Sequence, residues 1–124
     1  MSQQHNAIAA INGDSYGLGY HSVVIRNGVL YRQNAHDDIC VLYLDGTMKV
    51  IPEKTFNAEQ EMNNGAWQAW SFGPGLLDDE GKSMDNIYSV VSSTNPRTAI
   101  GYYEPGHYCF IVVDGRQGSY SKGL

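Results

Sequence analysis

Arg97, Asp114 and Arg116 are the residues of this 124-residue chain best suited to chemistry on a phosphate ester. A guanidinium offers a planar fork of N–H donors that matches phosphate oxygens, and an aspartate can act on a sugar carbon or on a water. A hairpin would gather them. Apolar runs at 98–103 and 108–113 flank Glu104, Pro105 and Gly106, the composition of a short connection between paired strands. With the turn centred near Pro105, pairing sets Arg97 opposite or diagonal to Val113 and Asp114, with Arg116 just beyond. Two cations and a carboxylate then crowd the open end of an apolar ribbon. A surface arginine and a plain Asp-Gly turn fit the same letters, and spacing alone favours that plainer reading.

The chain has room for one domain and one core. A formal charge of −5 with only eight basic residues excludes non-specific nucleic-acid binding, which needs clustered Lys and Arg. A phosphate site must therefore use a few well-placed cations. Nine tyrosines dominate the aromatic content and suit either sugar stacking or the half-wet faces of a sheet. No apolar run approaches the roughly 18 residues of a membrane span, and no leader pattern opens the chain. Cys40 and Cys109 lie within apolar runs, as buried small residues or as a disulfide pair. They lack the clustering of a zinc site, and His36, Asp37 and Asp38 read as a solvated connection because adjacent side chains diverge. No metal or cofactor is expected.

Residues 7–12, AIAAIN, have the look of a buried strand ending at Gly13 and Asp14. The segment 13–19, GDSYGLG, brings glycines that let backbone approach a ligand, with Asn12, Asp14 and Tyr16 as polar groups at the strand end. It fits neither the dinucleotide nor the P-loop pattern, and an ordinary connecting loop would look the same. Asn27 and Gly28 predict a hairpin within 22–31, and Asp45 and Gly46 another within 39–51. The one expected helix covers 55–64, with capping-box spacing from Asn57 to Gln60 and a stop at Gly65. Trp67 and Trp70 suit core packing, Trp70 also a sugar platform, and the bend at Gly73, Pro74 and Gly75 could set backbone N–H groups and Ser71 beside a site. Residues 78–81 read as an acidic hairpin turn without the spacing of a calcium loop, and 86–92 as a further strand. The expected fold is α+β, mainly antiparallel sheet from consecutive β-hairpins with one short helix.

Taken in order, AINGDSYG, SFGP, NPRTAIG, VVDGRQ and YSKGL resemble the phosphodiester glycosidase domain from about residue 7 to residue 124. That family includes bacterial proteins related to exopolysaccharide biosynthesis and the mammalian uncovering enzyme of lysosomal targeting, which removes N-acetylglucosamine to leave mannose 6-phosphate. The resemblance implies hydrolysis of a sugar-1-phosphodiester. Motif positions retained are Asn12, Gly13, Asp14, Gly73, Pro74, Arg97, Thr98, Asp114, Gly115, Arg116, Ser121 and Gly123. It also implies that 1–124 is the N-terminal and central part of an incomplete domain, because most relatives continue into a helix and a strand bearing an NLDGGGSS-like signature. An edge left open in this way would be covered by a homodimer or an exchanged strand. Relatives mostly work outside the cytoplasm, so an extracytoplasmic or cell-surface setting is expected.

Cleaving the bond between an anomeric carbon and a phosphate oxygen passes through an oxocarbenium-like state. The leaving phosphate is already a stable anion, so charge stabilisation matters more than a strong general acid. Arg97 and Arg116 would hold it, with Asp14 or Asp114 as nucleophile or base. Tyr16 and Trp70 would face the sugar, while Asn12, Gly73, Ser71, Thr98 and Ser121 orient hydroxyls or backbone. The competing reading is a non-catalytic carbohydrate-binding or structural fragment. A metal-dependent phosphodiesterase would need His and Asp ligands at a spacing this chain does not offer.

Overall fold

Residues that tolerate a positive φ punctuate this chain, and strands form between them. The computed structural model describes residues 2–13, 22–71, 73–85, 87 and 93–124. Strands β1 (Val23–Arg26), β2 (Val29–Gln33), β3 (Ile39–Tyr43), β4 (Met48–Ile51) and β5 (Ala66–Ser71) form one antiparallel sheet in the order β2-β1-β5-β3-β4. Between β1 and β2, Asn27 at φ 51° and Gly28 at φ 71° give the paired positive angles of a type I′ turn. The Gly28 N–H donates to Trp67 O at 2.9 Å, tying that turn to β5. Between β3 and β4, Asp45 Oδ1 accepts from Thr47 N and Thr47 Oγ1 at 2.9 and 2.7 Å, which holds the Asp45 carboxyl below its ordinary range. Both predicted hairpins are present.

Alternation along β1 and β3 puts Val23, Ile25, Ile39 and Val41 on one face, where all four are fully buried. Ala69 of the central strand lies between Ile25 and Val41 and keeps that row thin enough to close. Helix α1 (Ala58–Asn63) and Phe56 cover this core, with Leu30, Ala35, Ile51 and Met62 at its rim. Asn57 Oδ1 accepts from Gln60 N at 3.0 Å, the expected N-cap, and Gly65 at φ 89° ends the helical turn. The helix is shorter than 55–64 because 53–55 form a separate 3-10 turn. The domain is α+β: mostly antiparallel sheet with one short helix.

A polar contact between sheet and helix is built into the edge of the core. Tyr43 Oη donates to Glu61 Oε2 at 2.5 Å, joining sheet to helix, and Asn64 Nδ2 donates to the same oxygen at 3.4 Å. Burial and the adjoining carboxylate raise the Tyr43 pKa above the usual tyrosine range. A raised pKa stabilises the fold fully below the unfolded tyrosine value, near pH 10, and this contribution is lost as pH rises further. Tyr43→Phe should therefore cost about 1 kcal/mol at neutral pH, by leaving Glu61 short of a donor. The variant should also lose part of the wild type's alkaline sensitivity. Urea unfolding at pH 7 and pH 10.5 checks both; equal losses on raising the pH in the two proteins would contradict the assignment.

Strands β6 (Arg97–Glu104) and β7 (His107–Val113) form a separate two-stranded ribbon closed by Pro105 and Gly106, the latter at φ 82°. Its closed end rests on the β3–β4 turn, where Tyr108 Oη donates to Gly46 O at 2.5 Å and a Cβ at Gly46 would stand 3.2 Å from Pro105 Cβ. Phe110, Ile111 and Val112 are exposed. Gly101 faces Cys109 so closely that a Cβ there would lie 2.5 Å from Sγ. Both cysteines are free thiols, and burial pushes Cys40 up to about 11, an inert thiol at neutral pH. The acidic turn also forms: Asp78 Oδ1 accepts from Glu80 N and Lys82 N at 2.9 and 2.8 Å, and Leu77 bridges to Ser83.

Two expectations need correction. Residues 7–12 are not a buried strand: 7–10 and Asn12 are exposed, Ile11 is half-buried, and no strand pairs with them among the described residues. An apolar run becomes a strand only when a neighbour takes up its backbone hydrogen bonds. The tryptophans stand outside the core cluster as well, Trp67 over the Gly28 turn and Trp70 half-buried against Gly13. The expected strand at 86–92 lies outside the described residues except for Ile87, which is exposed.

Candidate functional site at the open end of the β6–β7 ribbon

Arg97 pairs with Val113, the placement the turn at Pro105 predicts, so Asp114 and Arg116 leave β7 beside the start of β6. Backbone contacts then lock this end. Asn95 N donates to Leu124 O at 3.0 Å and Leu124 N donates to Asn95 O at 3.1 Å, a reciprocal pair that brings the last residues of the chain against the entry to β6. Gly115 is buried against Pro96, where a Cβ would lie 2.5 Å from the proline nitrogen. Gly123, at φ 93°, lies against the Asn95 carbonyl more closely than any Cβ would allow. Two glycines thus grip one Asn-Pro step from both sides.

The polar side chains hang on that lock. Arg97 Nε donates to Leu124 O at 3.1 Å, and its Nη2 donates to Ser93 O. Arg116 Nε and Nη2 donate to Asn95 Oδ1 at 3.1 and 2.8 Å. Arg116 itself sits at φ 59°, in the left-handed region, which turns its side chain back toward Asn95. Ser121 Oγ donates to Asp114 O at 3.1 Å, and Gln117 N donates to Ser121 O at 3.0 Å, so 117–121 folds back on the end of β7. The Asp114 carboxylate is exposed and takes no hydrogen bond among the described residues. Arg116 pairs with no carboxylate among the described residues, so a neutral amide orients its guanidinium without cancelling its charge.

Arg97, Asp114, Arg116 and Ser121 are therefore brought together. Thr98 follows Arg97 in the strand, so its side chain occupies the other face of the ribbon. Asn12 and Gly73 adjoin the end of β5: the chain passes Trp70 at Gly13, where a Cβ would lie 3.1 Å from the indole, and Gly73 follows β5 at φ 82°. No hydrogen bond joins those two positions to the ribbon's open end among the described residues. Asp14 and Tyr16 lie outside the described residues. Ser71 is buried, and its Oγ accepts from Val23 N at 3.1 Å, a structural contact. Gly75 N donates to Asp38 Oδ2 at 2.7 Å, so the 73–75 bend is fastened to the connection before β3. Sequence reasoning passed over Asn95 and the Leu124 carbonyl. Asn95 opens the NPRTAIG stretch and precedes a proline, where asparagine commonly shapes a turn, and neither signal by itself assigns it a partner.

The same stretches carry a family likeness. Residues 5–124 match the family model for phosphodiester glycosidase. The SPbeta prophage-derived uncharacterized protein YomE of Bacillus subtilis (strain 168) is similar, 28% identical over 125 residues. That alignment takes in 94% of this chain and 19% of the relative, so the chain spans about a fifth of that protein's length. No solved structure matches. The match spans nearly every described element, the ribbon's locked end included, and the chain belongs to the phosphodiester glycosidase family.

Proposed function

We propose that the protein hydrolyses a sugar-1-phosphodiester at the bond between C1 and the phosphate oxygen, with an N-acetylglucosamine-like sugar. Water supplies OH to C1 and the phosphate departs as a monoester. The observation that carries this reading is the convergence of Arg97 and Arg116 on the Asn95–Leu124 junction, with the Asp114 carboxylate on the same short segment. Fixed guanidiniums aimed at one place stabilise charge that grows on a leaving phosphate. Asp114 or Asp14 serves as nucleophile or base, and their separation sets the stereochemical route. In this reading stacking on the sugar is assigned to Tyr16, and binding of its hydroxyls to Asn12, Gly73 and Ser121. Thr98 contributes through its backbone, its side chain being on the other face. An extracytoplasmic or cell-surface setting fits this reaction.

One observation favours a second reading, a carbohydrate-binding module without turnover: Asn12 and Gly73 are not joined to the arginine end among the described residues. Incubating the protein with N-acetylglucosamine joined through phosphate to mannose separates the two. Equal release of free N-acetylglucosamine and mannose 6-phosphate is the expected result. Saturable binding with no release would establish the module instead.

A further inference from the structure

We infer that Asn95 is the positioning residue of the arginine pair, and that its neutral side chain leaves the guanidinium charge available to an anion. The inference rests on the phosphate-binding role proposed above. Asn95 shares its partners with both arginines. Its Oδ1 takes the Nε and Nη2 hydrogens of Arg116, while its Nδ2 donates to Ser93 O at 3.1 Å and Ser93 Oγ at 2.9 Å. The amide orientation follows from chemistry: a guanidinium only donates and a carbonyl only accepts, so oxygen must face Arg116 and nitrogen Ser93. The same Ser93 carbonyl accepts from Arg97, and the Leu124 carbonyl that holds Arg97 Nε is itself held by Asn95 N. Asn95 therefore holds Arg116 directly and bonds to the same two oxygens that accept from Arg97.

The neutrality of this residue decides what the site can hold. Asparagine occupies one edge of the Arg116 guanidinium and leaves the other N–H groups and the full positive charge facing outward. Aspartate at the same place would fill the same volume and grip Arg116 more firmly through a charge-assisted pair. It would also neutralise the cation and turn an acceptor toward the Ser93 carbonyl. Position and charge should thus separate on substitution. A purely structural asparagine would show no such split.

The test uses inorganic sulfate, a dianion at all pH values of interest, as the probe. Binding to wild type, Asn95→Ala and Asn95→Asp is followed by NMR, together with the order of the Arg116 Nε–H signal; signals of the five-stranded sheet report retention of fold. We expect Asn95→Ala to release Arg116, weakening sulfate binding a few fold. Asn95→Asp should keep Arg116 ordered yet bind sulfate roughly tenfold or more weakly than wild type, the size of effect one adjacent opposing charge produces. Sulfate binding by Asn95→Asp equal to wild type, or an Arg116 signal still ordered in Asn95→Ala, would overturn the inference. If wild type ignores sulfate while Arg116 depends on Asn95 as expected, the positioning stands and the phosphate role fails. Should the Asn95 variants unfold the ribbon, Arg116→Lys keeps the charge but removes the Nε contact; an unchanged sulfate affinity there would also overturn it.

Discussion

Arg116→Gln is expected to lower kcat/KM for a sugar-1-phosphodiester by roughly 100- to 1000-fold, the range seen when one fixed donor to a developing anion is removed. The guanidinium lies on the surface and bonds only to the Asn95 amide among the described residues, so thermal stability should change little. Glutamine can still reach toward Asn95 but carries no charge. The loss should appear mainly in kcat, because charge on the phosphate grows as the C1–O bond breaks. A loss confined to KM would instead describe an arginine that binds substrate and transition state equally. Steady-state kinetics with denaturant unfolding on the same samples checks the result, and near wild-type turnover would remove Arg116 from the reaction.

The second large effect is expected from a methyl group. Gly115→Ala would set a Cβ 2.5 Å from Pro96 N, 2.8 Å from Pro96 Cδ and 2.9 Å from Asn95 C. These are backbone and ring atoms that cannot swing aside as a side chain can, so the Asn-Pro step must move. Overpacking of this kind costs roughly 1–3 kcal/mol. A functional cost of similar size accompanies it, because Asn95 carries Arg116 and its Leu124 partner carries Arg97. A displacement near 1 Å at a catalytic group commonly costs about 100-fold in rate. Urea unfolding and turnover together check this; Gly115→Ala with both properties intact would show that the glycine contact does not position the site.

These effects bear on what could be read from the chain in advance. Hairpins at Asn27 and Gly28, at Asp45 and Gly46, and at Pro105 and Gly106 were legible because the turn requirement is local: a positive φ selects the residue, whatever surrounds it. The Gly65 stop was legible for the same reason, and the Asn57 cap because its side chain accepts from an N–H three residues on, also a local requirement. From the Pro105 turn, strand register alone carried Arg97 to Val113 and so gathered Asp114 and Arg116. What could not be read depends on partners distant in sequence. Residues 7–12 have strand composition but pair with no strand among the described residues. Ser71 looks like a site hydroxyl until Val23 is known to lie beside it. Asn95, Gly115 and Gly123 form one junction only because the chain returns at Leu124, a contact that spacing does not encode.

The proposed reaction attacks the carbon side of a phosphodiester at the ribbon's open end, with the arginines holding the departing phosphate. Hydrolysis in water enriched in oxygen-18, followed by mass spectrometry of both products, tests it most directly. Attack at C1 places the heavy oxygen on the released sugar and leaves the phosphomonoester unlabelled, which is the predicted result. Label in the phosphate, with none in the sugar, would mean that the P–O bond breaks and would contradict the account.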